Sequence, residues 1–265
     1  NPVALGPGGY DWTYEVVAGS CVNSFTHRVT IDAQPLDTFA SAPEICDVDT
    51  VASINFTGVA GLSNLQLNGV GGTLSGNSGT ASAAALTAGS YFWTYSIVNG
   101  TCTLSFTHRM TVKPMPTDDF ATAPAVCQTA PYATITFVSG AGVQNLRFNG
   151  AAANRIGTQG TSNGVLIPGV YNWTYAISIN GCVSSFTHAV TVDTQPGDDF
   201  LSLTTECDVS NMATIVFNTG SGIANLRLAG DAATLIGATG SANISAYGPG
   251  AYSWTYDRVS GTCTN

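Results

Sequence analysis

The run PGVYNWTYAISINGCVSSFTHAVTV, Pro168–Val192, decides the fold. Pro168-Gly169 opens it with a turn signal, and Asn180-Gly181 divides two segments rich in aromatic and β-branched residues, as a tight antiparallel hairpin requires. In the first segment Tyr171, Trp173, Tyr175 and Ile177 alternate with Asn172, Thr174, Ala176 and Ser178, so the large rings share one face of a strand. In the second, Phe186, His188, Val190 and Val192 alternate with Ser185, Thr187, Ala189 and Thr191. The aromatic face is expected to be core. His188 is expected at the core edge, hydrogen-bonded to backbone, in preference to serving as a metal ligand or general base.

The same text recurs along the chain. YDWTY stands at Tyr10–Tyr14, YFWTY at Tyr91–Tyr95, YNWTY at Tyr171–Tyr175 and YSWTY at Tyr252–Tyr256, and Trp12, Trp93, Trp173 and Trp254 follow one another at intervals of 81, 80 and 81 residues. SFTH follows in three copies, bringing His27, His108 and His188 into equivalent positions. A fixed period with a fixed aromatic signature means one module copied in tandem. Boundaries at the proline-containing segments Gln34–Phe39, Met115–Phe120 and Gln195–Phe200 give a partial module at 1–34, complete modules at 35–115 and 116–195, and a module at 196–265 that lacks its last strand. A window cut from a longer array would read this way.

Within 116–195 the further strands are expected at Ala133–Phe137, Asn145–Asn149 and Val165–Ile167, with another near Asp118–Ala121. Asn64–Asn68 and Asn225–Ala229 are the counterparts of Asn145–Asn149. About seven short strands in some 80 residues, with turns every 8–12 and no amphipathic helix, predict tandem all-β, immunoglobulin-like sandwiches. Proline stiffens each short junction, so a rod-like array is expected.

Composition removes several function classes. Charged residues make up 9% of the chain, Lys113 is the only lysine and the net charge is −9, so nucleic acid is not an expected partner. No apolar run is long enough to span a bilayer as a helix. No GxSxG, HExxH, P-loop or dinucleotide-binding glycine motif in a strand–helix context occurs, and no catalytic residue is expected. Sparse lysine and glutamate also leave strand edges less guarded against lateral association.

Seven cysteines follow the repeat in two classes. Cys21, Cys102, Cys182 and Cys263 trail the tryptophans by nine residues, while Cys46, Cys127 and Cys207 precede the next apolar strand. Regular spacing in an all-β chain predicts disulfides and an oxidising compartment. Zinc suits the pattern poorly, since no CxxC pair is present. Two pairings are open. Bridges within modules would join Cys46–Cys102, Cys127–Cys182 and Cys207–Cys263, and bridges across junctions would join Cys21–Cys46, Cys102–Cys127 and Cys182–Cys207. The first closes the larger loops and is favoured on chain entropy.

Asp118, Asp119, Asp198 and Asp199 at the junctions are candidate ligands for Ca²⁺ between modules, although the spacing of a calcium loop is absent and the first junction has Thr38 in the second acidic position. Otherwise no metal or cofactor is expected. Phe92 and Tyr132 are candidate ligand contacts for a carbohydrate-binding array, but neither repeats.

The run from Pro168 to Val192, with its copies at Ala88–Val112 and Gly8–Ile31 and up to Cys263 from Gly250, resembles the closing hairpin of PKD-like and Ig-like repeats in large secreted surface proteins of Bacteroidetes. Those repeats read GxYxVxVxxxxGC followed by an alternating Thr/Val strand and a proline. This chain has Trp where Val is commoner, and its SFTH segment departs from the pattern. The resemblance implies export to the bacterial surface or beyond, and a role in adhesins, fibres or stalks of secreted enzymes. Together these readings predict a non-catalytic structural or adhesive region of an extracellular fibre or filament. Its partners are expected to be neighbouring modules or further copies, with multivalent glycan binding or a passive spacer as the alternatives.

Overall fold

A computed structural model describes residues 5–207 and 209–265. The described residues form strands and no helix. The first repeat contributes one hairpin, β1 (Gly8–Ala18) and β2 (Cys21–Ile31). Residues 35–115 carry β3 (Phe39–Ser41), β4 (Ile45–Cys46), β5 (Val51–Phe56), β6 (Leu62–Leu67), β7 (Val70–Gly71), β8 (Thr73–Ser75), β9 (Ser78–Ser82), β10 (Gly89–Asn99) and β11 (Cys102–Lys113). Residues 116–195 carry β12 (Phe120–Thr122), β13 (Val126–Cys127), β14 (Thr134–Phe137), β15 (Val143–Phe148), β16 (Ala151–Ala152), β17 (Asn154–Ile156), β18 (Gln159–Thr161), β19 (Gly169–Ile179) and β20 (Cys182–Asp193). Residues 196–265 carry β21 (Phe200–Leu203), β22 (Met212–Phe217), β23 (Ile223–Leu228), β24 (Asp231–Ala232), β25 (Thr234–Ile236), β26 (Thr239–Asn243), β27 (Trp254–Ser260) and β28 (Cys263–Thr264).

Each complete repeat is an immunoglobulin-like sandwich of two sheets. In residues 35–115 a five-stranded sheet, β4-β11-β10-β6-β7, faces a four-stranded one, β3-β5-β9-β8. The same order returns as β13-β20-β19-β15-β16 over β12-β14-β18-β17. In residues 196–265 the second sheet ends at β24-β23-β27-β28, with only Cys263–Thr264 where β11 and β20 stand in the others. Contacts gather the chain into two compact units, Asn1–Pro116 with Ile179–Cys182, and Thr117–Ser178 with Val183–Asn265.

Nine strands replace the seven expected, because the glycine-punctuated stretches resolve into pieces of two and three residues. The segment expected at Asn145–Asn149 begins two residues earlier and ends one earlier, and so do its counterparts. The asparagines explain the shift. Asn64, Asn145 and Asn225 hold left-handed φ of 54°, 54° and 51° inside their strands, where the pairing with the aromatic strand slips register. Asn68 and Gly69, at φ 47° and 83°, then form the turn into β7. Asparagine tolerates the left-handed region better than other side chains, so it marks bulges and turns here. Val165–Ile167 is not a strand: Leu166 is buried, while Val165 and Ile167 are exposed and the segment leads into the Pro168 turn.

Alternation places the core. Trp93, Tyr95 and Ile97 of β10 pack with Ile54, Phe56, Leu67, Met110 and Val112, and Trp173, Tyr175 and Ile177 of β19 pack with Ile135, Phe137, Phe148, Val190 and Val192. Trp93 and Trp173 are 0% exposed. Trp12 corrects the expectation of four equivalent core tryptophans: it is 70% exposed, since β1–β2 has no facing sheet among the described residues. Trp254 is half-buried on a smaller core of Ile215, Phe217 and Leu226. Truncating a buried tryptophan removes both transfer free energy and packing. Trp93→Ala is therefore expected to cost about 3–5 kcal/mol in chemical denaturation of the dilute chain, and Trp12→Ala less than about 0.5 kcal/mol.

Candidate functional site: a covalent ladder between repeats

The aromatic signature does more than fill space. In all four copies its first tyrosine donates a hydrogen bond four residues back: Tyr10 to Gly6 O, Tyr91 to Thr87 O, Tyr171 to Ile167 O and Tyr252 to Gly248 O, at 2.7–2.9 Å. This pins the turn that launches the strand. The second tyrosine points at the junction. Tyr95, Tyr175 and Tyr256 donate short hydrogen bonds to Asp37, Asp118 and Asp198. Each of these carboxylates also accepts from the backbone N–H two residues on, of Phe39, Phe120 or Phe200.

The histidines complete the arrangement. Trp93 pairs with His108 and Tyr95 with Phe106 across β10–β11, which sets His108 beside Tyr95 on the inner face. His108 Nε2 lies 2.8 Å from Asp37 Oδ2 and His188 Nε2 2.8 Å from Asp118 Oδ2. Phe39 stacks on His108 and Phe120 on His188, both at 3.8 Å between centroids. The partner of His108 and of His188 is thus a junction aspartate, where backbone was expected, whereas His27 on β2 is exposed. The reason is reach: Asp37 and Asp118 fold back over the end of the sandwich, a contact 70 residues apart in sequence for His188. Each Tyr–Asp–His group ties the entry of its sandwich to the closing hairpin.

Burial pushes the Asp37 and Asp118 carboxyls up, but the bonds from tyrosine and backbone and the adjacent histidine outweigh it and hold both below the usual carboxylate range. Tyr95 and Tyr175 are pushed up in turn by burial and the carboxylate, and Tyr256 to about 12. A depressed folded-state pKa contributes stability that is fully present above the unfolded value and is lost as pH falls through the folded one. The unfolded value is about 3.9. The denaturation midpoint is therefore expected to fall as the pH drops below about 4. Asp118→Asn should lower the midpoint at pH 7 and flatten the acid decline, read by denaturant titration at a series of pH values.

The adjacent acids have a different task. Asp119 accepts from Ser139 N, Ser139 Oγ and Gly140 N, and Asp199 from Thr219 N, Thr219 Oγ1 and Gly220 N. Both caps hold the loop before β15 or β23. Neighbouring aspartates thus face separate sets of donors, and among the described residues no three His, Cys, Asp or Glu side chains gather as a metal-binding group.

The cysteines join in a third way, which corrects both pairings considered above. Cys46 is bonded to Cys182 and Cys127 to Cys263, each across 136 residues. A cysteine before one apolar strand therefore meets the hairpin cysteine of the following repeat. Cys102 and Cys207, expected in bridges, are free thiols, as is Cys21.

Two local features build each bridge. On one side a two-residue strand pairs in parallel with the end of the closing strand: Ile45–Cys46 with Val112–Lys113, and Val126–Cys127 with Val192–Asp193. On the other side the hairpin turn of the next repeat is held by the residue that ends the closing strand. Asp193 Oδ2 accepts from Thr262 N at 2.7 Å and Thr262 Oγ1 at 2.9 Å. At the second bridge the corresponding pair has changed together. Lys113 replaces the aspartate and donates to Asn180 O at 2.8 Å, while Gly181 replaces the threonine. Lys113 also reaches Glu44 Oε2 at 2.5 Å. The chain's only lysine is thus a functional position that its sequence pattern alone did not single out; its alignment with Asp32 and Asp193 was the available signal.

The two candidate ligand contacts stand apart from this arrangement. Phe92 is exposed on the outer face of β10, and Tyr132 is exposed in the segment before β14. Each occurs in one repeat only.

No family model and no curated protein matches the chain. Among solved structures it is similar to a three-Ig fragment of titin, domains I67–I69 in an E-to-A variant, at 11% identity over 86% of this chain and 94% of that one, with a TM-score of 0.38. It is also similar to the D1–D4 ectodomain fragment of ICAM-5, at 11% identity over 96% and 80% of the two chains with a TM-score of 0.32, and to the N-terminal eight Ig domains of DSCAM, at 9% identity over 96% and 46% with a TM-score of 0.31. Scores this low carry no argument, and the immunoglobulin-like assignment rests on the sheets themselves. Among the described residues no helix is long and apolar enough to cross a membrane.

Proposed function

We propose that this chain is a non-catalytic structural and adhesive repeat region of a long extracellular fibre or cell-surface filament of a secreted bacterial protein. The observation that carries the reading is that its two disulfides overlap. Cys46–Cys182 and Cys127–Cys263 share the stretch between Cys127 and Cys182. Every peptide bond from Cys46 to Cys263 therefore lies inside at least one covalent ring, and no single cut there separates the chain.

Such a ladder resists tension and proteolysis, which is what a load-bearing extracellular array needs. Structural disulfides of this kind belong to oxidising surroundings. In the loop-entropy treatment a ring this long contributes about 5 kcal/mol by restricting the unfolded chain, though two overlapping rings are not additive. The repeated tyrosine and histidine groups support the same reading, since each is consumed in holding its own sandwich together. The expected partners are neighbouring repeats and further copies; calcium at the acidic junctions and glycans at Phe92 or Tyr132 are subsidiary to that.

The rings set a limit on extension that single-molecule pulling measures. Between Cys46 and Cys263 the shortest covalent path of the oxidised chain runs through both bridges and the segment Cys127–Cys182, so the reduced chain offers about 162 residues more. At roughly 3.3–3.6 Å per residue, full unfolding after reduction should lengthen the chain by roughly 530–580 Å over the oxidised form. Equal contour lengths in the two states would defeat the reading of the disulfides as a tensile ladder.

A further inference from the structure

The hairpin turns that meet the end of a closing strand are of two kinds, and the kind follows the residue that is met. Gly100-Thr101 and Gly261-Thr262 have positive φ at the glycine alone, 59° and 58°, which makes them type II′ turns. Asn180-Gly181 has positive φ at both positions, 53° and 89°, which makes it type I′. The type II′ turns meet aspartates. Thr101 N and Oγ1 donate to Asp32 Oδ2 at 2.6 and 2.8 Å, and Thr262 N and Oγ1 to Asp193 Oδ2 at 2.7 and 2.9 Å. The type I′ turn meets Lys113, whose Nζ donates to Asn180 O at 2.8 Å.

The backbone links the two differences. Between the two turn types the first central ψ changes by about 150° and the second central φ by about 170°, so the peptide joining the central residues turns over. The side of the turn that offers a threonine N–H in type II′ therefore offers a carbonyl in type I′. An ionised carboxylate only accepts and an ammonium only donates, so aspartate fits the first and lysine the second. Sterics oppose the exchange. A Cβ at Gly100 would lie 2.2 Å from Asp32 Oδ2, and one at Gly261 2.3 Å from Asp193 Oδ2, so an Asn-Gly turn has no room against an aspartate. In the opposite mismatch a lysine would face a threonine N–H, donor against donor. Glu44 completes the lysine version by pairing with Lys113. Its counterpart beside Asp193 is Ala125, and a glutamate there would set two carboxylates together.

We infer that the end of each closing strand and the hairpin turn it meets form a matched pair that decides which repeat can follow which, and that Glu44, Lys113 and Asn180-Gly181 direct Cys46 to Cys182. The partner recognised is a second repeat: one with a type II′ Gly-Thr turn after an aspartate, one with a type I′ Asn-Gly turn after a lysine. The matching turn is attracted, and the other meets a clash or an unpaired donor. This deepens the proposed array by naming what each repeat recognises in its neighbour, and it rests on that reading for its purpose. Lys113 and Asp193 are positioning residues. They dock the turn that carries the cysteine, and closure of the bridge oxidises two thiols to one disulfide while one oxidised glutathione is reduced to two thiols.

The test follows each bridge separately in the 265-residue chain, equilibrated in glutathione buffers of graded redox ratio, alkylated and mapped by peptide mass. The strand half of a swap is Glu44→Ala with Lys113→Asp, and the turn half is Asn180→Gly with Gly181→Thr. Each half alone should require a buffer about tenfold more oxidising to close Cys46–Cys182, as for one charge-assisted hydrogen bond left unmade. Cys127–Cys263 should close as before. Both halves together should return Cys46–Cys182 to within about threefold of the unsubstituted chain, because the two changes couple. Substitutions that merely loosened the structure would add, leaving the full swap worse than either half. Half-swaps without effect, a full swap no better than its halves, or a parallel loss at Cys127–Cys263 would each overturn the inference. None of these outcomes alters the contour lengths of the unsubstituted chain, so the matched joint and the array reading fail separately.

Discussion

The structure depends on a hydrogen bond from the last tyrosine of YxWTY to the aspartate that opens its own sandwich. Tyr95–Asp37 and Tyr175–Asp118 fasten the two ends of a repeat to one another over 58 and 57 residues. The carboxylate sits at the end of the core, where burial alone would favour its neutral form. It stays charged because tyrosine, histidine and a backbone N–H all converge on it. Remove that convergence and the entry strand loses its anchor, the histidine its partner and the phenylalanine the ring it stacks on. The group recurs because each repeat closes its own sandwich through the same contacts.

The disulfides act at the next level. A sandwich closed by its own hydrogen bonds and core has no need of an internal staple, so its cysteines are available for its neighbours. The parallel two-residue strand and the turn-capping residue bring the sulfurs together only when two consecutive repeats are both folded. Asp193 with Thr262, and Lys113 with the Asn180 carbonyl, solve the same docking problem with opposite charge. The bridge is kept while the chemistry beside it varies, as expected where the covalent link matters more than the contact surrounding it.

Glycine has a specific place in this arrangement. Gly61 and Gly222 hold φ of 70° and 73°, and a Cβ there would lie 2.0 Å from Val98 O and 2.2 Å from Val259 O. The backbone of the aromatic strand passes directly over them, with Val98 N and Val259 N donating to their carbonyls at 3.0 and 2.8 Å. Positive φ and close approach together leave no room for another residue. These contacts end the pairing of β6 and β23 beyond the asparagine bulge.

Sequence by itself determined the repeat, its period, the strand alternation that buries Trp93 and Trp173, and the Asn180-Gly181 hairpin, because these depend on side-chain periodicity and local backbone preference. It also indicated that the cysteines would pair. Which cysteine meets which was decided by tertiary structure alone. Spacing along the chain records loop length, whereas a bridge needs two Cβ atoms a few ångströms apart, and that proximity arises where one repeat's hairpin turn lands beside the preceding repeat's closing strand. The Asp–His pairs were hidden for the same reason, their partners lying some 70 residues apart. Trp12 shows the complementary case: its strand reads like the others, but burial requires a facing sheet, and a one-strand pattern cannot supply it.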